Sequence, residues 1–492
     1  MSIEKYQSDD EHEVALEAKT TRKANIILWY TYDATDNFFS QTIISLAFTP
    51  FAFLLGQMMG WDLMTTFIVV SCVMAGSNLL VAIFGPLLGA ISDTSGKRKN
   101  AVIIVASIMI ATTLFTSIYA LLLDSPSEFW QKSVFWFTCI MFIIGNFCYQ
   151  AGRMFYDAQI PFVTDSEKRS LYQAIGGAIA PVGSFLGIGA GLMSDAIFGK
   201  HTTVKTELWD LSAPVGDINY ISLQWLFAIG AGILLVMLIP YLFHKEVENP
   251  TTLTAKENVK ESFKNIRRSL KTILSDRNSW LFFLAWFFTI DAANTTILYM
   301  VPVVEGACGV TDPTMTYIII GVGILLSIVF GILTGYMLKK WGTKITFIIS
   351  GIAWMIAVIL FMFAGWTLGS VTLPWWIAFF GAFFIGIGFG GVWILGRQFI
   401  MIIAPPSKLA QYAGFQKIAG RVSAIISPLI FAAMMIAGQP LGNNHAYRLA
   451  LGSIVVFFII GIIFASFIVD PYKRYNAGER APYEGIYDKP AK

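Results

Sequence analysis

The sequence predicts an all-α membrane protein with twelve transmembrane helices in two six-helix halves. Composition is the first observation: of the 492 residues, 56% are hydrophobic and 13% are charged. Soluble domains carry about 25% charged residues. A mean hydropathy of +0.65 indicates that most of the chain lies in lipid. The second observation is the recurrence of long apolar runs, and the third is an internal repeat.

Apolar runs of about 20 residues, the length that a membrane-spanning helix needs, recur along the whole chain. Six precede a polar stretch and six follow it. The predicted spans are 26–48, 65–88, 101–123, 134–157, 172–194 and 222–243 in the first set, and 279–303, 315–338, 345–367, 374–397, 411–437 and 446–469 in the second. The chain is therefore divided into an N-terminal tail (1–25), a first half (26–243), a linker (244–278), a second half (279–469) and a C-terminal tail (470–492).

Basic residues are distributed unevenly between the two sides that these spans create. One side carries only Lys132, Lys200, Lys205 and Arg448, and the other carries Lys97, Arg98, Lys99, Lys168, Arg169, Lys339, Lys340, Lys344, Lys408, Lys473 and Arg474. Because cytoplasmic loops are enriched in Lys and Arg, we expect both termini in the cytoplasm. The N-terminus lacks the layout of a cleaved signal peptide, so the first helix is expected to remain a span. We favour the cell membrane over an organelle.

The linker between the halves predicts an amphipathic basic helix. Its apolar residues recur at helical spacing (Val259, Phe263, Ile266, Leu270 and Ile273) among eight basic residues, Lys245, Lys256, Lys260, Lys264, Arg267, Arg268, Lys271 and Arg277. Such a helix can lie on the inner membrane surface with its basic face toward anionic headgroups. The favoured interpretation is simpler, a solvated helix that joins the two halves.

Carboxylates inside apolar helices are the most unusual polar feature. Asp33 and Asp36 lie in the first span, and Asp291 lies in the seventh. A charged side chain at the centre of a membrane helix costs roughly 2.5–3.5 kcal/mol on insertion scales, and such residues usually mark a solute or ion path. Asp33, Asp36 and Asn37 share one helical face, and Asp291 with Asn294 repeats the pattern. Asp36 is expected near the midplane, opposite Asp291.

We hypothesise that Asp36 or Asp291 is the coupling site for a proton or sodium ion, and that Tyr32, Asn37 and Asn294 contact the solute. The alternative is that the carboxylates form structural ion pairs, for instance with Arg421. Arg421 lies about ten residues into the eleventh span, where it is either a counter-ion or a fork that binds a carboxylate.

The fourth span carries a polar stripe. Asn146 and Gln150 are deep enough to contact solute. Arg153 and Asp157 are one turn apart near the cytoplasmic end, so each could pair with the other or with the loop of Asp93 and Arg98. We favour a gate latch for them, with simple positive-inside anchoring as the alternative.

Three spacings recur in both halves and argue for duplication. The first-half patterns are Gly89-x3-Asp93-x2-Gly96-x-Arg98, Gly152-Arg153-x7-Pro161 and Gln173-x-Ile175-x-Gly177; the second-half patterns are Gly335-x3-Lys339-x2-Gly342-x-Lys344, Gly396-Arg397-x7-Pro405 and Gln416-x-Ile418-x-Gly420. Two repeated halves with a solute site between them at the midplane are typical of secondary transporters.

The loop at 85–99 resembles the signature loop of the major facilitator superfamily. The resemblance implies that fold and a loop that clamps the cytoplasmic gate. The first copy of that gate would use Gly89, Asp93, Gly96 and Arg98. The second would use Gly335, Gly342 and Arg397, although Lys339 stands where the first copy has Asp93.

Within the superfamily the chain is similar to the vacuolar amino-acid effluxers associated with autophagy and their prokaryotic relatives. The similarity lies in 29–37, 155–161, 390–393, 396–397 and 420–429. It implies an amino acid as the solute. The chain departs from that branch at Thr35, Asp36 and Asn37, and at Trp393, where relatives often have Gln.

Other classes of function lack their signatures. We find no Ser-His-Asp set, no zinc spacing, no ATP-binding motif and no nucleic-acid signature, and Cys72, Cys139, Cys148 and Cys308 show no metal or redox spacing. We expect no enzyme activity and no cofactor. His201 and His445 fall in outer loops and are expected to be solvated.

We therefore expect a monomeric, multi-pass secondary transporter that moves a small solute by alternating access, in symport with protons. A cation-coupled sugar symporter is the first alternative. That branch usually places Asp and Arg in the second span, where this chain offers only Asn78. A non-transporting membrane receptor or scaffold on the same fold is the second alternative. The expected partners are the solute, a coupling proton or sodium ion, and the lipid bilayer, with no nucleic acid.

Overall fold

The computed structural model describes residues 23–95, 98–125, 127–159, 169–201, 219–246, 276–368, 370–403 and 409–469, with helical residues at 256–257, 260 and 264. Within these residues it contains twelve helices long and apolar enough to cross a membrane. The predicted fold class is confirmed. The tails and most of the linker, including the apolar stripe predicted for its helix, lie outside the described residues.

The first half contains six spans. Helix α1 runs through three consecutive segments, Lys23–Phe39, Ser40–Phe48 and Thr49–Met58. The others are α2 (Leu63–Ser95), α3 (Arg98–Ala120, followed by the 3₁₀ turn Leu121–Asp124), α4 (Glu128–Ala158), α5 (Arg169–Phe198) and α6 (Ile221–Leu242).

The second half repeats this plan. Helix α7 comprises Arg277–Leu298, Met300–Pro302 and Val303–Ala307; α8 and α9 are Pro313–Leu338 and Lys340–Phe363; α10 is Ile377–Ile403; α11 is Leu409–Gly438, followed by the 3₁₀ turn Gln439–Leu441; and α12 is Asn443–Phe467. A small antiparallel hairpin pairs Thr367–Leu368 with Val371–Thr372 between α9 and α10.

The helical stretch that contains α8 and α9 is broken near the start of α9 by a single glycine. Gly342 has φ 80° and ψ 171° and interrupts an otherwise continuous helical stretch. A positive φ is costly for residues with a Cβ, so glycine suits this turn. The predicted gate glycine therefore has a definite backbone role.

Helices α1 and α7, the first spans of the two halves, both depart from α geometry. A π-helical segment lies within α1 at Ser40–Phe48, and another forms the end of α7 at Val303–Ala307. Both helices are largely buried by their neighbours: in the most apolar stretch of each, 94% of α1 and 72% of α7 is buried. π segments inside helices are frequent at functional sites.

We call the side where α1 begins and α12 ends the terminal side, and the opposite side the far side. The two halves contact each other mainly through α2 against α11 and α5 against α8. Between described residues, hydrogen bonds and ion pairs across the halves run from the midplane to the far side. They join Asn78 to the Ala424 carbonyl, Ser45 to the Ile297 carbonyl, Ser71 to Tyr299, Lys200 to Asp312 and His201 to Glu305. The structure is therefore closed on the far side.

Candidate functional site

The carboxylates of α1 converge on one arginine of α4. Arg153 Nη1 lies 3.1 Å from Asp33 Oδ1 and 2.8 Å from Asp36 Oδ2, and Arg153 Nε lies 3.8 Å from Asp157 Oδ2. The side chains of Asp33 and Asp36 are only 8% and 4% exposed. Three carboxylates thus share one guanidinium, and we call this group the Arg153 cluster.

Aromatic side chains close the Arg153 cluster. The Tyr156 hydroxyl donates to Asp33 Oδ2 at 2.6 Å. Tyr156 stacks on Trp29 with ring centroids 4.4 Å apart, and Tyr32 packs against Tyr156 at 5.1 Å. Because all three rings are buried, they exclude water from the carboxylates on this side. Tyr32, predicted to contact solute, instead lies in this aromatic group.

The structure gives Arg153 different main partners from those predicted. The sequence favoured Asp157 or the loop of Asp93 and Arg98, but the shortest contacts go to Asp33 and Asp36. The reason is that α1 packs against α4, which brings three charges of the first half together. A structural ion pair for the α1 carboxylates was the stated alternative, with Arg421 as the example. The structure supplies Arg153 as the cation, while the Arg421 side chain is outside the described residues.

Asp291 has a very different environment from Asp36. It is fully buried in α7, and neither of its carboxylate oxygens has a hydrogen-bond partner among the described residues. The backbone of Ser427 in α11 is close enough to interact with it electrostatically. A buried, unpaired carboxylate is costly as an anion, and accepting a proton relieves that cost.

An inward-facing polar stripe runs along α1. Asn37 and Ser40 are partly exposed on an otherwise buried helix, and Gln41 and Ser45 continue the stripe toward the far side. Asn37 donates to the Asp33 carbonyl of its own helix, which leaves its side-chain oxygen as an acceptor. Toward the far side, Gln41 and Ser45 reach the space between the two halves.

A pocket between the halves lies where this stripe ends. Gln41 and Ser45 of α1 form its polar side, and Ile297, Ile320 and Phe389 are among the apolar residues of α7, α8 and α10 that form the rest. A pocket lined by both halves can change its access when the halves rock.

The remaining predicted solute residues divide between two environments. Asn294 is partly exposed on α7. Asn146 is 1% exposed and donates to Ser77 of α2 at 2.8 Å, and Gln150 is 7% exposed. Asn146 therefore ties α4 to α2, although its side-chain oxygen has no partner among the described residues.

The predicted gate residues are only partly described. Gly96 lies outside the described residues, and Gly89 and Asp93 are helical positions in α2 whose side-chain surroundings are not described. Arg98 is buried, and the backbone N–H of Lys99 donates to Glu246, just after α6. The gate assignment remains a prediction.

The predicted gate residues of the second half have different surroundings. Gly335 is exposed in α8, and Gly342 forms the helix break. Arg397 is partly exposed in α10 and makes no ion pair or hydrogen bond among the described residues, unlike its repeat mate Arg153.

One expectation was wrong. His201 is 3% exposed rather than solvated, and it lies between Asp195 and Glu305. Sequence reasoning missed this group because Glu305 is distant in the chain from Asp195 and His201 and belongs to the other half. The available signal was Glu305 itself, an acidic residue at the end of an apolar run. His445 is exposed, as expected.

Comparisons with known proteins agree with this architecture. The family model of the Major Facilitator Superfamily matches residues 38–428. An uncharacterized MFS-type transporter, YxiO of Bacillus subtilis (strain 168), is 24% identical over 441 residues, which cover 89% of this chain and 94% of that protein.

Solved structures show the same fold. A D-xylose-proton symporter matches with a TM-score of 0.68 at 14% identity, covering 91% of this chain and 98% of the other. The nucleoside transporter NupG matches with a TM-score of 0.58 at 13% identity, covering 92% and 99%. With twelve spans, two repeated halves and a pocket between them, the chain belongs to the major facilitator superfamily of transporters.

Proposed function

We propose that this protein is a proton-coupled secondary transporter and that Asp291 is its coupling site. The observation that carries the proposal is the isolation of this carboxylate: it is fully buried and has no hydrogen-bond partner among the described residues. Asp36, the other candidate, already has Arg153 at 2.8 Å. A nearby cation stabilises the charged form of a carboxylate, so a carboxylate without such a cation takes up a proton more readily.

We further propose that the solute is an amino acid with an apolar side chain. The resemblance to the amino-acid effluxers supports an amino acid. The pocket supports an amphipathic molecule, since Gln41 and Ser45 supply polar groups on one side and the other walls are mostly apolar. A sugar needs hydrogen bonds on all sides, which this lining does not offer among the described residues. The amino acid would enter between Asn37 of α1 and Asn294 of α7.

A ligand screen tests the solute. The purified full-length protein is heated with each of the common amino acids, with D-xylose and with uridine. A bound solute raises the apparent melting temperature, by an amount that grows with its concentration relative to Kd. We expect apolar amino acids to raise it and Asn294→Ala to abolish the rise. A response to xylose alone would overturn the amino-acid assignment in favour of a sugar symporter.

A transport assay tests the coupling. The protein is reconstituted in liposomes, and uptake of the radiolabelled amino acid found in the screen is measured with and without an imposed pH step. We expect Asp291→Asn to lose the stimulation by the pH step, and Asp36→Asn to keep part of it. The exposed Glu128→Gln serves as a control for loss of one negative charge. Stimulation that persists unchanged in both Asp36→Asn and Asp291→Asn would refute proton coupling through these residues.

A further inference from the structure

A second group of titratable side chains lies at the far side, away from the Arg153 cluster and the pocket. His201 follows the end of α5, and its Nδ1 lies 3.1 Å from Asp195 Oδ1 in α5. Its Nε2 lies 3.7 Å from Glu305 Oε1, in the π-helical end of α7. The side chains of His201, Asp195 and Glu305 are 1%, 5% and 0% exposed. We call these three residues the far-side triad.

The far-side triad connects the two halves. Asp195 and His201 belong to the first half, and Glu305 belongs to the second. An exposed ion pair, Lys200 with Asp312 at 2.7 Å, crosses the same boundary beside it. Opening the far side would have to separate both contacts.

The described side chains around the triad include two tyrosines and an arginine, and an arginine stays charged across the physiological pH range. The ring of Tyr317 in α8 lies 5.9 Å from that of His201, and Tyr447 of α12 interacts with Glu305. Neither tyrosine hydroxyl has a hydrogen-bond partner among the described residues. Arg448 is directed to the carbonyls of Ala307 and Ala364. The histidine is therefore the titratable cation between the two carboxylates.

We propose that His201 is a proton-binding site that locks the far side: protonated, it joins Asp195 of the first half to Glu305 of the second, and without its proton the two carboxylates repel and the far side opens. This inference rests on the proposed transport by alternating access, and it concerns control of the gate rather than the transported proton. A buried carboxylate pair without a cation between it is strongly unfavourable.

The direction of the pH effect follows from the contacts. Burial opposes the charge on His201, but the nearby carboxylates of Asp195 and Glu305 outweigh burial and raise its pKa from 6.5 to about 9. Opening exposes the ring to water and returns its pKa toward the ordinary value. The stabilisation of the closed far side is therefore complete below pH 6.5 and is lost as the pH rises through about 9. Between pH 6 and 8 the open fraction should rise on the order of tenfold.

The test measures opening directly, without any solute. Spin labels are placed at Glu128→Cys and Leu441→Cys, exposed far-side positions in the two halves, with the exposed Cys72 replaced by serine. Pulsed electron paramagnetic resonance then gives the distance distribution at pH 6 and pH 8. We expect a longer-distance population that grows on the order of tenfold with pH in the labelled native protein, and no pH response after His201→Gln.

The matched control is Lys200→Gln, which removes the neighbouring exposed ion pair across the same boundary. We expect it to keep the pH response. A pH response that survives in a folded His201→Gln variant, or that is absent from the labelled native protein, overturns the proposal. Because Asp291→Asn should also keep the response, failure of proton-coupled transport would not be mistaken for failure of this lock.

A second measurement needs no substitution at the triad. Deuterium exchange at the histidine C2 position, followed by mass spectrometry, reports the titration of each of the four histidines in the intact protein. We expect His201 to titrate well above the ordinary histidine value of 6.5. The pKa of His244, which is buried beside the end of α6, should be shifted in the opposite direction, since burial lowers it to about 4. A midpoint for His201 at or below 6.5 contradicts the lock.

Discussion

Replacing Arg153 with methionine should destabilise the protein far more than the same change at its repeat mate Arg397. The arginine lies 2.8 Å from Asp36, 3.1 Å from Asp33 and 3.8 Å from Asp157. Removing it leaves two almost fully buried carboxylates without a cation. Breaking a buried pair by removing one partner costs about 3–5 kcal/mol, because the remaining charge is uncompensated. Arg397 is partly exposed and has no described partner, so its loss should cost less than about 1 kcal/mol.

Thermal unfolding in detergent compares the two variants. Arg153→Met should have the lower melting temperature, and the gap should shrink at low pH, where the orphaned carboxylates can take up protons. Adding Asp33→Asn and Asp36→Asn to Arg153→Met should restore much of the loss, because neutral amides tolerate burial better than anions. Equal melting temperatures for Arg153→Met and Arg397→Met would refute the view that the Arg153 cluster stabilises the first half.

Three further outcomes follow from packing and the pocket. Gly183→Ala should lower the free energy of unfolding by about 1–3 kcal/mol, since its new methyl group would collide with the Ala34 carbonyl of α1. Gly189→Ala, whose methyl group meets open space, should leave the melting temperature unchanged, and equal losses of stability in the two variants would contradict this reasoning. Gly342→Ala should lower stability by about 1–2 kcal/mol because the residue has φ 80°, and an unchanged melting temperature would show that α8 and α9 can join without this turn. Trp393→Gln should change which solutes raise the melting temperature, since the tryptophan packs on Phe389 of the pocket with ring centroids 4.7 Å apart; an identical ligand profile would remove Trp393 from the solute site.

The twelve spans were predictable because hydrocarbon imposes a strong rule on composition. A helix must supply about 20 apolar residues to cross a bilayer, and such runs are visible without any knowledge of packing. The π segments of α1 and α7 were not predictable in this way, because an apolar run indicates the length of a span but not the hydrogen-bond pattern of its backbone.

The sequence did not predict which residues would pair with the charged side chains. Asp33, Asp36 and Asp291 were recognised as residues that are costly to bury, but their different environments depend on which helix packs beside each one. Arg153 reaches α1, whereas its repeat mate Arg397 has no described carboxylate partner. The repeat therefore predicted the positions of the charges but not their pairing. His201 was misjudged for the same reason, since its burial depends on a contact with the second half.

The proposed coupling site and the proposed lock act on the same helix. Asp291 and Glu305 are fourteen positions apart along α7, or roughly 20 Å at 1.5 Å per residue. The π segment of α7 contains Glu305, and the pocket residue Ile297 lies between the two carboxylates. A movement of α7 that releases Glu305 from His201 must therefore also shift the wall of the pocket and the surroundings of Asp291. In the first half, Asp33 and Asp36 are held by Arg153 within that half. On this argument the two proton-binding groups are linked through α7, because the proposed lock ties His201 of the first half to the same helix that carries the proposed coupling site in the second half.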